Sequence, residues 1–160
     1  MIWAVENGIT TGATELLFEP YKSCMRAQVV TFLHRAVGNP EPTTATNPFT
    51  DVKPGDFFYK PVLWAVEKGI TNGTSATTFG SFDTCNRAAV VTFLWRAAGS
   101  PNPTSNKNPF VDVKPTDFFY KPVLWAVENG ITAGLDATHF GPTNGCNRAQ
   151  VVTFLYRFYN

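Results

Sequence analysis

Two kinds of apolar stripe alternate along this chain, each at helical spacing. Val90, Phe93, Leu94 and Ala97 form the longer kind, the pattern of a helix with one buried face. Asn86 just before it is a good N-cap, because its side chain can accept a bond from a free first-turn N–H. Cys85 then falls at N′ and Val90 at N4, the two positions of a hydrophobic staple, and Gly99 stops the helix. The shorter kind is Leu63, Trp64 and Val66, bounded by Pro61 and Gly69. Proline is tolerated only in a first turn, so the spacing predicts a turn at 57–60, a helix from about Pro61, and Gly69 as its C′ residue. The same pattern returns from Phe118 to Gly130, and a remnant of it runs from Met1 to about Asn7. Around Asn147 the cap is reciprocal, with Gln150 at N3. Met25 holds the cap position of the first copy and cannot cap, which predicts a frayed start there.

These returns have a fixed period. Trp3, Trp64 and Trp125 each open W-A-V-E-[NK]-G-I-T, and Cys24, Cys85 and Cys146 each sit two residues before Arg26, Arg87 and Arg148, every step being 61 residues. From 47 to 71 and from 108 to 132, 22 of 25 positions are identical. Such a period means an array of equivalent supersecondary units rather than one domain around a single buried site. The division reads as a partial unit at 1–38, a linker at 39–46, a second unit at 47–99, a linker at 100–107 and a third unit at 108–160. The linkers are Pro/Thr/Asn-rich, hence extended and semi-rigid. The first copy lacks the N-P-F-x-D-V-K-P-x-D-F-F-Y-K-P lead-in of the other two, which reads as a fragment of a longer protein and removes one wall from at least one inter-unit groove.

Composition adds exclusions. With 44% hydrophobic and 16% charged residues and a net charge of +1, the chain has no broad electrostatic footprint for nucleic acid or an acidic membrane. No apolar run reaches membrane-spanning length. The 14 Phe, 12 Gly and 12 Pro suit short aromatic-packed helices separated by tight turns.

F-x-D-V, W-A-V-E-x-G-I-x-x-G, F-x-P and x-R-A-[EQ], in that order over about sixty residues, resemble the S-layer homology module, and three tandem copies are that family's usual arrangement. The resemblance covers nearly the whole chain apart from the linkers. It implies an all-α fold, three helix-loop-helix repeats packed as a three-pronged bundle with pseudo-threefold symmetry. It also implies a non-catalytic anchor at the bacterial cell surface, part of a longer secreted protein. Its partner would be a secondary cell-wall polysaccharide of Gram-positive walls, often bearing pyruvylated sugars, held in grooves between repeats.

Carried over by position, the resemblance makes Arg26, Arg87 and Arg148 ligand-binding candidates, together with Gly12, Gly73 and Gly134 of the G-I-x-x-G loops. An arginine in a helix's first turn adds a two-toothed donor to the partly positive N-terminus, and glycines let backbone N–H groups approach a carboxylate closely. Trp64 and Trp125 are sugar-contacting candidates, although their place in the helical stripe suits the core as well. The chain departs from the family where its threonine is Met25, Asn86 and Asn147, where its glutamate is Gln28, Ala89 and Gln150, and where the F-x-P proline is Ser81. A cysteine also precedes each motif where an aliphatic residue is more usual.

Other recurring groups have simpler duties. Arg35, Arg96 and Arg157 lie in last turns, where a cation offsets the dipole. Three cysteines could meet at a pseudo-threefold axis, and three sulfurs can bind zinc. With no C-x-x-C and no paired His, they read as buried free thiols, and no metal or cofactor is expected. Asp51 with Asp56, and Asp112 with Asp117, lack the ligand alternation of a calcium loop and suit turns and caps. Glu6, Glu67 and Glu128 near helix ends need a specific partner such as an Arg or a backbone N–H. No residue set for catalysis emerges. The competing reading is a structural or protein–protein module that oligomerises, or completes its first repeat against a partner. The anchor reading predicts that Arg87→Ala with Arg148→Ala abolishes wall binding while the fold survives.

Overall fold

In the computed structural model, which describes residues 2–13, 17–44 and 46–160, every predicted stripe is a helix. The order is α1 (Ile2–Glu6), α2 (Arg26–Ala36), α3 (Tyr59–Glu67), α4 (Arg87–Ala97), α5 (Tyr120–Glu128) and α6 (Arg148–Tyr159). Among the described residues the only β pairing is three isolated bridges, so the fold is all-α. The helix expected to survive from Met1 is α1; Met1 itself lies outside the described residues, as does Ala45 of the first linker.

Local chemistry sets the ends of these elements. Asn86 Oδ1 accepts the Ala89 N–H at 2.8 Å, and around Asn147 the reciprocal pair forms, with Asn147 Oδ1 accepting from Gln150 and Gln150 Oε1 from Asn147. Helices α3 and α5 start two residues earlier than proline placement suggested. Pro61 and Pro122 still lie in the first turn, where an N–H has no intrahelical partner to lose. At the other end Gly69 has φ +67°; its N–H donates to Val66 and that of Ile70 to Ala65. This paired closure satisfies the last carbonyls of α3 and drops Ile70 into the core.

The start of α2 differs from expectation for a reason of packing. Met25 offers no side-chain oxygen, yet Gln28 Oε1 accepts its N–H at 3.0 Å. The Arg26 and Ala27 N–H groups donate to the carbonyls of Asp83 and Ser81 in the next unit, at 2.9 and 3.1 Å. The same cross-unit capping serves Arg87 and Ala88 from Asn144 and Pro142, and Arg148 and Ala149 from Lys22 and Pro20. Each unit therefore supplies the carbonyls that the preceding unit's helix lacks, and the third unit is served by the first.

A ring follows. Cys24 N–H donates to Cys146 O at 2.9 Å, Cys85 to Cys24 at 2.8 Å and Cys146 to Cys85 at 2.9 Å, a closed cycle on the pseudo-threefold axis. The thiols are free and buried. Burial pushes Cys24 up to about 12 and Cys146 up to about 11, and raises Cys85 as well, since a thiolate there would lose its hydration. Among the described residues no group of His, Cys, Asp or Glu is arranged to hold a metal ion.

The helices pack in the same rotary sense. Helix α3 lies on α2, α5 on α4, and α1 on α6, so each short helix covers the preceding unit's long one. Trp64 meets His34 edge-on at 5.3 Å, and Trp3 meets Tyr156 at 5.4 Å, the same pair of repeat positions. The linkers are tied down rather than loose spacers. Glu67 accepts the N–H groups of Thr43 and Thr44, and Glu128 those of Thr104 and Ser105. His34 bonds Pro40 O and Trp95 donates to Pro101 O.

Candidate functional site

The G-I-T-x-G loops and the first-turn arginines meet, but across unit boundaries. Arg26 Nε donates to Phe79 O at 3.1 Å, Arg87 Nε to Phe140 O at 2.8 Å and Arg148 Nε to Phe18 O at 2.8 Å. Each guanidinium also lies between two phenylalanine rings, both supplied by the neighbouring unit: Phe79 and Phe93 for Arg26, Phe140 and Phe154 for Arg87, Phe18 and Phe32 for Arg148. An arginine planar between aromatic faces gains cation–π attraction and shields apolar surface.

The three arginines are not equivalent. Arg87 and Arg148 are 4% and 3% exposed and also donate from Nη2 to Thr132 and Thr10, both at 3.2 Å. Arg26 is partly exposed, and its terminal nitrogens have no acceptor among the described residues. A second arginine pins each loop from its own unit: Arg35 Nη1 to Ile9 O, Arg96 to Ile70 O and Arg157 to Ile131 O, at 3.3, 3.1 and 3.2 Å. The last-turn arginines thus tie down the loops, and Arg35 and Arg96 also face the grooves.

The loop glycines serve packing first. The Gly73 N–H donates to Thr71 Oγ1, as Gly12 does to Thr10 and Gly134 to Thr132, so these amides are already partnered. A Cβ at Gly73 would lie 2.5 Å from the Phe49 ring, and one at Gly134 2.5 Å from Phe110, which is why only glycine fits. Trp64 and Trp125 are buried and turn their rings to the core.

Sequence reasoning missed the rings that do face the grooves. Phe57 and Phe118 are 62% and 71% exposed, each standing edge-on to its neighbour at 5.1 Å. An F-F doublet in a turn can send only one ring inward, and that was the available signal. Phe118 joins Arg26, Arg96, Thr71, Asn72 and Asn86 around a cavity of about 390 Å³ between the first and second units. Phe57 joins Arg148, Arg35, Gln28 and the Glu19–Lys22 ion pair around one of about 260 Å³ between the third and first.

A ring of three arginine-clasped junctions, with clefts described at those of Arg26 and Arg148 and built from a repeated helix–loop–helix, defines a tandem-repeat module with non-equivalent unit boundaries. The model of the S-layer homology domain matches residues 48–90 and 109–152, and the chain belongs to that family. It is 33% identical over 112 residues to an endoglucanase of Bacillus sp. (strain KSM-635), covering 70% of this chain and 12% of that protein. It is 30% identical over 117 residues to a cell surface protein of Thermoanaerobacter kivui, covering 71% and 15%. An S-layer protein of Bacillus thuringiensis subsp. finitimus is 26% identical over 156 residues, covering 96% and 19%. The chain spans less than a fifth of the length of each of these relatives. No helix among the described residues is long and apolar enough to cross a membrane.

Proposed function

We propose that this chain is a non-catalytic module that holds a protein at the bacterial cell surface by binding an acidic cell-wall polysaccharide in its inter-unit grooves. The observation that carries the reading is the cleft between the first and second units. It combines two guanidiniums (Arg26 and Arg96), amide and hydroxyl groups of Asn72, Asn86 and Thr71, and the exposed Phe118 ring. A sugar carboxylate such as a pyruvate ketal can take a forked bond from a guanidinium, while its ring packs on the phenylalanine. With a net charge of only +1, affinity would come from these local contacts rather than a long-range field.

A cell surface protein, an S-layer protein and an endoglucanase each match this chain over less than a fifth of their own length, which supports a carried anchor rather than a shared reaction. The test is co-sedimentation of the 160-residue protein with peptidoglycan sacculi before and after extraction of the secondary polymer. Binding that disappears with the polymer, and that Arg26→Gln weakens, supports the reading. Equal pelleting with bare and intact sacculi overturns it.

A further inference from the structure

Four Asn-Gly pairs occur in the chain, at Asn7, Asn72, Asn129 and Asn144. In such a pair the glycine's backbone nitrogen can attack the asparagine side-chain carbonyl carbon, because no Cβ on the following residue crowds the approach. The attack requires a nitrogen that is not held in a hydrogen bond and a side chain free to swing onto it.

Three of the pairs are held away from this reaction. Asn7 Nδ2 donates to Trp3 O at 2.8 Å and the Gly8 N–H to Val5 O at 3.0 Å. Asn129 Nδ2 donates to Trp125 O at 2.8 Å and the Gly130 N–H to Val127 O at 3.0 Å. Both pairs are locked into helix ends. At Asn72 the Gly73 N–H donates to Thr71 Oγ1 at 3.1 Å, and Gly73 is wedged against the Phe49 ring.

Asn144 and Gly145 differ on each count. Both are exposed, and neither the Asn144 side chain nor the Gly145 N–H has a hydrogen-bond partner among the described residues. The axial ring explains why. Gly145 pairs with Asn86 in an isolated antiparallel bridge, and the bonds are made by its neighbours, Arg87 N–H to Asn144 O and Cys146 N–H to Cys85 O, both at 2.9 Å. In this non-hydrogen-bonded kind of pair the central residue turns its own N–H away from its partner. The other units carry Asp83 and Lys22 at this repeat position, so the third unit alone places an asparagine there.

We propose that Asn144 is a site of spontaneous covalent modification, converting in the folded protein ahead of the other three pairs. The Gly145 nitrogen gives its proton to solvent and bonds to Asn144 Cγ. The bond from Cγ to the side-chain nitrogen breaks, and that nitrogen leaves as ammonia. Water then opens the five-membered imide at either carbonyl. Opening at Cγ gives aspartate; opening at the main-chain carbon gives isoaspartate, whose chain runs through Cγ and is one carbon longer. One water is consumed and one ammonia released, with no oxidant or reductant.

The two products have opposite consequences. Aspartate is the residue that the second unit already carries as Asp83, whose carbonyl caps Arg26 as that of Asn144 caps Arg87. Isoaspartate takes the Asn144 carbonyl out of the chain and inserts an extra carbon before Cys146. That breaks the register of the Arg87 and Cys146 bonds and loosens the junction of the second and third units. Asn144 lines neither described glycan cleft, and the inference stands apart from that reading.

The test holds the intact protein in mildly alkaline buffer, folded and, in parallel, unfolded in guanidinium chloride. Peptide mapping by mass spectrometry follows the four pairs. In the folded protein Asn144 is expected to convert at least about tenfold faster than any other pair, the factor set by one hydrogen bond that must open first. In the unfolded chain that lead should vanish. Equal rates at all four sites in the folded protein overturn the inference, and so does a lead that persists unchanged after unfolding. Asn144→Asp should melt like the wild type, and an isoaspartate-enriched fraction should melt lower. An isoaspartate fraction with wild-type melting would refute the coupling to the junction.

Discussion

Arg148 and Phe18 stand 130 residues apart, and the Arg148 guanidinium donates from Nε to the Phe18 carbonyl at 2.8 Å while lying over the Phe18 ring. That contact closes the ring by joining the third unit to the first. Arg148→Ala should therefore cost about 2–4 kcal/mol, because it strips buried charge-assisted bonds and leaves the carbonyl unpaired. Arg26→Ala, at the partly exposed member of the set, should cost less than half as much. Urea unfolding of the two variants measures the difference. The double variant Arg87→Ala/Arg148→Ala, expected from sequence to keep the fold, should instead be the least stable, so Arg26 is the cleaner probe of ligand binding.

Gly73 and Gly69 separate two reasons for glycine. Both have positive φ, +83° and +67°, but a Cβ at Gly73 meets Phe49 and the Thr78 carbonyl at 2.5 Å, while one at Gly69 meets nothing within 4 Å. Gly69→Ala should cost about 1 kcal/mol, the penalty of the left-handed conformation alone. Gly73→Ala should cost at least about 1 kcal/mol more, since the lead-in must lift. Thermal melts of both variants settle the order.

Much of this was legible in the sequence, and particular residues show why. The caps at Asn86 and Asn147, the stop at Gly69 and the buried stripe of Val90, Phe93 and Leu94 all depend on neighbours within a few positions. What escaped was decided between units. Asp83 and Ser81 carbonyls of the next unit take the Arg26 and Ala27 N–H groups at the start of α2. Thr132 and Thr10 engage Arg87 and Arg148 but not Arg26, and Phe118 reaches a groove formed by two other units. A repeat fixes what each copy can do, whereas ring closure fixes which copy does it.

Asp51 makes the fold acid-sensitive. Burial works to raise its carboxyl, but hydrogen bonds from Ser81, Phe79 and Gly80 outweigh this and hold it below the usual value. A depressed folded-state pKa gives stability that is fully present above the unfolded value of about 4 and is lost as pH falls through the lower folded value. Melting temperature should accordingly drop below about pH 4. Asp51→Asn should be less stable at pH 7 by about 1–3 kcal/mol and show a shallower acid slope.

The three axial thiols act at the other end of the scale. Burial raises all of them, Cys24 to about 12 and Cys146 to about 11. Their stabilising share is complete below the unfolded thiol value of about 8.5 and is lost as pH rises above it. Stability should fall between about pH 8.5 and 11, and Cys85→Ala should flatten that decline. A thiol reagent at pH 8 should label none of the three rapidly in the folded protein and all three after unfolding.

The most direct check of the account is a calorimetric titration of purified secondary cell-wall polymer into the wild type, Phe118→Ala and Asn72→Asp. Both substitutions alter exposed positions of the groove between the first and second units, so both variants should melt like the wild type. The account predicts that loss of the ring, or a carboxylate placed beside Arg26 and Arg96, weakens binding by at least about tenfold. Wild-type affinity in both variants would contradict it.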